Sequence, residues 1–340
     1  MAISNIDLRM GIDLSGPVRA VLFSNESFEV VSSMTAKTEF DQDSKERLTA
    51  LASEIKGFWQ THKVRPEGMA GLPIKNCFLF TVSLPLLGKK ELKQAIRLQV
   101  ERIVPGSSHN VRMAVQKWPS KLQLPPSSSP VVGNTTYAVA AAEADSVRAA
   151  EELMKMAGVR PVSVEIPASP ACRLGWWIWT NQMAAQHPDT AAESGLGAGE
   201  SGDSAGDDNR YSGEDDSSEI RLNITLDVHP GEALLHLAFD SCPWLMREIP
   251  LNPDNLLANA QIIAGEVSRS ERFVTGSWPG QFAVRVTVLG SSENTGLIAD
   301  YLSEQVGIKN RVFGPRSIPC DSEYGAALGL VLPKEGVSLS

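Results

Sequence analysis

Gly11-Ile12-Asp13-Leu14-Ser15-Gly16 decides how this chain is read, because two later stretches repeat its strand-to-turn form in a fixed order. They are Leu226-Asp227-Val228-His229-Pro230-Gly231 and Val288-Leu289-Gly290-Ser291-Ser292. The first opens a strand pair running from Ile12 to Phe23, and the others close the apolar runs Ile224 to Val228 and Val284 to Leu289. Apolar runs rich in Val and Ile that stop at Asp, Gly, Ser or Pro read as strands ending in turns.

Outward from the first stretch, strands are expected over Leu8 to Asp13, Val18 to Phe23 and Phe28 to Ser33. A helix follows from Ser44 to about His62, with Leu48, Leu51, Ile55 and Phe58 on one face. A strand from Cys77 to Leu84 leads into a helix from about Lys89 to Val104, whose apolar stripe is Leu92, Ile96, Val100 and Ile103. Strands Val111 to Trp118 and Thr136 to Ala142 flank a Pro/Ser-rich loop, Leu124 to Gly133. A helix capped by Asp145 and stopped by Gly158, a strand Val162 to Ile166, and a helix Ala168 to Met183 carrying Trp176, Trp177 and Trp179 complete the first half.

The second half starts the same way. Strands Ile220 to Val228, Ala233 to Phe239 and Pro243 to Ile249 form a meander with a Pro230-Gly231 hairpin. Then come a helix from Asp254 to about Arg269, a strand Ala283 to Leu289, a helix through Tyr301 and Leu302 that stops at Gly307, and a final helix Ser322 to Leu332. Two halves that each open with a meander and continue in alternating β and α imply a duplicated α/β fold around a central cleft.

The net charge of −9 belongs to one segment. Between Ala184 and Glu219 stand ten carboxylate residues and a single basic one, Arg210, so the rest of the chain is neutral. No global field steers nucleic acid to this protein, and the acidic segment would repel it. The same segment holds six glycines and six serines with almost no large apolar residue, too little to offset its ordering entropy; it is expected to be disordered. The expected division is therefore an N-terminal lobe over 1–183, an acidic insert over 184–219, a C-terminal lobe over 220–333 and a tail over 334–340.

Cys77, Cys172, Cys242 and Cys320 are far apart and form no C-x-x-C pair, so reduced thiols are expected. The histidines show no ligand spacing beside cysteines or carboxylates, which argues against zinc. No apolar stretch approaches the ~20 residues of a membrane span, and Met1 to Arg9 has no apolar signal region, so a cytoplasmic protein is expected.

The motifs and their order resemble the actin-like superfamily and, within it, the PilM family of type IV pilus assembly proteins. The resemblance rests on Gly11-Ile12-Asp13-Leu14, on Val82-Ser83-Leu84-Pro85 leading into Glu91 to Ile96, and on Glu101-Arg102-Ile103-Val104-Pro105. It continues through Ala138 to Ala142, Ala157-Gly158-Val159-Arg160-Pro161, Glu165-Ile166-Pro167-Ala168 and Leu289-Gly290, and ends at Ala326 to Leu330. The cytoplasmic domain of type II secretion L proteins is similar. The resemblance implies an actin-like (ribonuclease H-like) duplicated α/β fold, two lobes around a cleft, with an inserted subdomain at about 35–135. It further implies a non-enzymatic scaffold under the inner membrane that binds the N-terminal cytoplasmic peptide of a PilN-like membrane partner, in a groove on the inserted subdomain around Leu84 to Ile103.

In that fold the three turns hold ATP and Mg2+. Asp13 and Asp227 occupy the metal-holding positions, and Ser15, His229, Gly290 and Ser291 the positions that meet the nucleotide. The chemistry needs small residues where backbone N–H groups approach phosphate oxygens. Ser15, His229 and Ser291 stand where the superfamily places glycine, and Pro17 removes a donor beside Gly16. A histidine at 229 adds bulk toward the phosphates and, if φ must be positive there, roughly 1–3 kcal/mol of backbone strain. A degenerate site with no catalytic residue is therefore expected, the alternative being an active ATPase or small-molecule kinase of the same fold.

Overall fold

The computed structural model describes residues 8–62, 65–104, 110–118, 134–186, 220–240, 242–277, 282–290, 292–305, 312–313 and 321–332. Most of the acidic insert (187–219), the loop 124–133, Ser291, Gly307, Cys320 and the tail lie outside them.

Two five-stranded sheets share one topology. The first is built from β1 (Leu8–Asp13), β2 (Arg19–Ser24), β3 (Glu29–Thr35), β4 (Glu67–Gly71) and β8 (Arg160–Glu165), in the order β3-β2-β1-β4-β8. The second uses β9 (Ile220–His229), β10 (Glu232–Phe239), β11 (Cys242–Pro250), β12 (Phe282–Gly290) and β13 (Val312–Phe313), in the order β11-β10-β9-β12-β13. In each, an antiparallel meander is followed by two parallel strands added on the far side of the first strand. This repeated mixed sheet is the duplicated actin-like arrangement.

Alternation along the strands separates each sheet's two faces. On β1 and β2, Leu8, Met10, Ile12, Ala20 and Leu22 join α1 (Lys45–Gln60) and α3 (Ala144–Met156) in the first lobe's core. On β9, Leu222, Ile224, Leu226 and Val228 pack under α5 (Leu256–Ser277) and α6 (Ser292–Gln305) in the second. The opposite faces are also buried, and there the two lobes meet through exchanged helices. The helix α4 (Ala168–Gln186) follows the first sheet in sequence yet packs on β9, β10 and β11. The short α7 (Gly325–Val331), last in the second half, packs on β1, β2 and β4. Val21, Phe23 and Met69 from one sheet, Leu289 from the other, Leu174 and Ile178 of α4, and Leu328 and Leu330 of α7 make one continuous interlobe core.

That crossing explains the first glycine of the opening stretch. A Cβ on Gly11 would stand 1.9 Å from the carbonyl oxygen of Ala327, so α7 can lie on β1 only because position 11 has no side chain. Gly329 does the same for the contact of α7 with α4, where a Cβ would meet the Pro170 carbonyl oxygen at 2.2 Å.

A third sheet, β5-β7-β6, comprises β5 (Cys77–Pro85), β6 (Val111–Lys117) and β7 (Asn134–Glu143), covered by α2 (Lys89–Ile103). It is the inserted subdomain, spanning 77–143. The expected bounds of about 35–135 begin too early, because α1 and β4 belong to the first lobe. Three further expectations change. Residue 103 drops out of the stripe of α2: Ile103 is 47% exposed and Val104 takes the buried place. The N-cap of α3 is Glu143, leaving Asp145 in the first turn. Strand β4 was not anticipated, since Glu-Gly-Met-Ala-Gly offers no β-branched residue. Its glycines are packing devices, and a Cβ on Gly68 would meet Val159 at 2.3 Å.

The aromatic cluster of α4 is an interlobe contact in part: Trp177 stacks on Phe28, with ring centroids 6.4 Å apart, and Arg221 lies over Trp176 at 5.3 Å. No helix among the described residues is long and apolar enough to cross a membrane. Cys77, Cys172 and Cys242 are buried free thiols.

Candidate functional site

Asp13 is the last residue of β1 and lies on the face that α7 covers, the same face as Gly11. Its Oδ1 accepts the backbone N–H of Ser15 at 3.0 Å, which closes the turn, and the Ser15 hydroxyl donates to the carbonyl oxygen of Leu72 at 3.3 Å. Opposite Asp13 in the antiparallel register stands Arg19 of β2. Its side chain is only 6% exposed, and its Nε lies 3.8 Å from a carboxylate oxygen of Glu323.

The second lobe brings Asp227 and His229 to the same place. They are two residues apart on β9, so both point to the face that α4 covers; on that face the Thr225 hydroxyl donates to the carbonyl of Ala171 in α4 at 3.3 Å. His229 Nε2 lies 3.2 Å from Asp227 Oδ2, and both side chains are buried. The turn beyond them is the expected two-residue hairpin: His229 pairs with Glu232, and Gly231 takes φ +90. His229 itself is not among the residues with positive φ, so the strain expected if φ were positive does not arise.

The electrostatics tie the two lobes into one site. Burial, reinforced by the nearby Asp227 carboxylate, raises Asp13 to about 6. Burial pushes Asp227 the same way, but the charge of the nearby His229, with His236 and Arg19 behind it, holds this carboxyl below its ordinary value. Burial opposes protonation of His229, and the Asp227 and Asp13 carboxylates outweigh it, raising the imidazole above its usual range. His236, fully enclosed on β10, is driven down to about 4 by burial and stays neutral. Two carboxyl groups thus face one imidazole and one guanidinium in a buried setting.

The fit to a magnesium nucleotide can be tested on these atoms. Asp13 Oδ2 is buried with no hydrogen-bond partner among the described residues, as a group awaiting a hydrated cation would be. The rest argues the other way. His229 Nε2 stands 3.2 Å from Asp227 Oδ2, and no cluster of three metal-ligating side chains occurs among the described residues. Gly290 does not open a nucleotide pocket: at φ +117 its missing Cβ is replaced by the Val228 carbonyl oxygen, 2.0 Å from where a Cβ would stand. The residues present fit a self-contained charge cluster better than a metal-nucleotide cradle.

Of the residues singled out in the sequence, the structure gathers Asp13, Ser15, Asp227 and His229 at one interlobe locus, Gly290 packs on the Val228 backbone, and Ser291 lies outside the described residues. Arg19, His236 and Glu323 were missed. Hairpin register across Asp13 could have exposed Arg19, whereas Glu323 reaches the site only because α7 and the turn before it cross to the first lobe.

No family model matches the chain, and no curated protein sequence does. Solved structures do. A chain of a PilM-PilN type IV pilus biogenesis complex superposes with a TM-score of 0.60 and 17% identity, over 95% of this chain and 97% of that one. The cytoplasmic domain of EpsL, an inner membrane component of the type II secretion system of Vibrio cholerae, overlaps at 0.46 and 12% identity, over 84% and 82% of the two chains. The ethanolamine utilization protein EutJ from Carboxydothermus hydrogenoformans overlaps at 0.46 and 10%, over 95% and 88%. Across nearly its whole length, the chain has the fold of the PilM-PilN complex chain, an actin-like pair of lobes carrying an inserted subdomain.

Proposed function

We propose that this protein is a non-enzymatic scaffold of a type IV pilus or type II secretion-like assembly platform. It works on the cytoplasmic side of the inner membrane and holds the N-terminal cytoplasmic peptide of a PilN-like single-span partner on its inserted subdomain. The observation that carries the non-enzymatic reading is the Asp227–His229 pair: a buried imidazole occupies the carboxylate that a nucleotide-bound metal would need. Support for the platform role comes from the fold shared with the PilM-PilN complex chain over 95% of this protein. ATP and Mg2+ belong to this reading only as ligands the cleft has lost.

Two measurements test it. A thermal melt with millimolar Mg-ATP is expected to leave the midpoint unmoved; a rise of several degrees that disappears in Asp13→Ala would favour the ATPase or small-molecule kinase reading. A pull-down with the cytoplasmic tail of the membrane protein encoded beside this gene is expected to retain it, and failure of that capture would remove the partner from the proposal.

A further inference from the structure

The inserted subdomain concentrates positive charge. Residues 77–143 hold eight basic residues against three carboxylates, so the compensating excess of carboxylates outside the acidic insert lies on the lobes. Four of those cations meet at one end of the subdomain. Strand β5 ends at Pro85 and α2 begins just beyond it, with Lys89, Lys90 and Lys93 in its first turns. Strand β6 runs toward the same end and closes with Lys117, level with Tyr137 and Val82 of the neighbouring strands. Period two puts Lys117 on the face that α2 covers, with Val111 and Met113. All four lysines are exposed, and none makes an ion pair among the described residues. Glu91, the carboxylate in their midst, is occupied in closing the helix end, where it accepts the Gly88 N–H at 3.1 Å. A helix dipole favours carboxylates in the first turn, so the lysines there do not serve α2 itself. Between β5 and α2 stands Leu86, at 83% the most exposed large apolar side chain among the described residues.

We propose that this tip, Leu86 with Lys89, Lys90, Lys93 and Lys117, is a contact surface for an anionic phospholipid bilayer. The ammonium groups meet headgroup phosphates, and Leu86 enters the boundary between headgroups and acyl chains. Charge complementarity selects the surface, since unpaired lysines gain from each anionic headgroup layer they approach. Lysine ammoniums are compact point charges on flexible stems, suited to a diffuse layer of phosphates rather than to one shaped carboxylate. A leucine projecting from a turn enters a bilayer without needing a matching pocket, whereas a folded partner would have to supply one. One apolar side chain and a few cations give reversible attachment, not a permanent anchor. The inference goes beyond the scaffold reading, in which the partner alone brings the protein to the membrane, and it does not depend on that reading.

Cosedimentation of the full chain with lipid vesicles tests this. Vesicles of phosphatidylglycerol and phosphatidylcholine in equal parts are expected to bring the protein down, phosphatidylcholine alone is not, and added salt should release it. Lys89→Glu combined with Lys90→Glu should weaken binding about tenfold or more. Leu86→Ser should weaken it about tenfold. Neither change should move the thermal midpoint, because these side chains are exposed. Lys56→Glu combined with Lys155→Glu makes the same change of charge on exposed lysines of the first lobe, and should bind close to the parent. In Leu86→Trp, the emission added over that of the parent should shift to the blue on the phosphatidylglycerol vesicles. No binding by the parent, or equal loss in the two lysine pairs, would overturn the proposal. So would lysine-dependent binding with no loss in Leu86→Ser and no blue shift in Leu86→Trp. Capture of RNA or of an acidic peptide by the same lysines, without any binding of vesicles, would overturn it as well. Retention of the neighbour-encoded tail by the Lys89→Glu and Lys90→Glu variant leaves the scaffold reading intact and separates its failure from this one.

Discussion

His229 Nε2 stands 3.2 Å from Asp227 Oδ2, at the strand end that closes β9. Because i and i+2 share one face of a strand, the histidine sets its imidazole beside the neighbouring carboxylate from within the same strand. Arg19 of the first lobe lies near enough to act on both groups, and Asp13 near enough to act on His229.

That pair predicts a pH signature. The folded state raises His229, so its stabilisation is complete below the ordinary histidine value of 6.5 and is lost as pH climbs through the raised folded value. Asp227 is lowered, so its contribution is present above 3.8 and is lost as pH falls through the depressed folded value. Asp13 has the opposite sign: its folded value of about 6 means that stability declines as pH rises from 3.8 through about 6. His229→Gln leaves the Asp227 carboxylate buried and unpaired, and should cost about 3–5 kcal/mol near pH 6. The gap between parent and variant in urea unfolding should shrink at alkaline pH. A gap independent of pH would mean that His229 acts by packing alone.

Gly290 and Gly16 make a controlled comparison, since both have positive φ. Around Gly16 nothing lies within 4 Å of a built Cβ, whereas at Gly290 the obstacle is the backbone of β9. Gly16→Ala should cost about 1–2 kcal/mol, the conformational term alone. Gly290→Ala adds a clash that no rotamer relieves, and should cost well over that or prevent folding. Similar midpoints for the two variants in thermal melts would show that β9 and β12 are not as closely apposed as described.

Arg173 of α4 joins three elements: its guanidinium pairs with Glu165 at the end of β8 and donates to the Leu330 carbonyl of α7 at 3.0 Å. Glu165 is 2% exposed, so Arg173→Met strands a buried carboxylate and should cost about 3–5 kcal/mol. Adding Glu165→Gln should recover much of the loss, because the remaining groups are neutral. A double variant no better than the single one would place the effect in the Leu330 contact instead.

Much of the fold was legible because local pattern and tertiary role agreed. Strands β1 and β9 alternate in sequence, β2 and β10 read as short apolar runs, and α1 carries its core stripe at helical spacing with Ser44 as a true cap, its hydroxyl accepting the Arg47 N–H at 3.3 Å. Strand β4 was illegible because its five residues are selected by what crosses them: small side chains let Val159 approach, and a sequence window records no such neighbour. The same holds at the site. Asp13, Asp227 and His229 were visible as residues at strand ends, but their partnership was not, since Arg19 depends on register and Glu323 on a helix that leaves its own lobe.

The sequence by itself determined a duplicated α/β chain, the positions of its turns, and the acidic segment that carries its charge. Those follow from periodicity, composition and turn chemistry, all local quantities. Only the tertiary structure decided what the residues at those turns do. Position 229 is an unstrained histidine paired with Asp227, and Gly290 is spent on the Val228 backbone. Gly11 exists so that α7 can lie across β1. Each of these is a contact between segments far apart in the chain, fixed by the exchange of α4 and α7 between the lobes, and no local pattern encodes which backbone will arrive there.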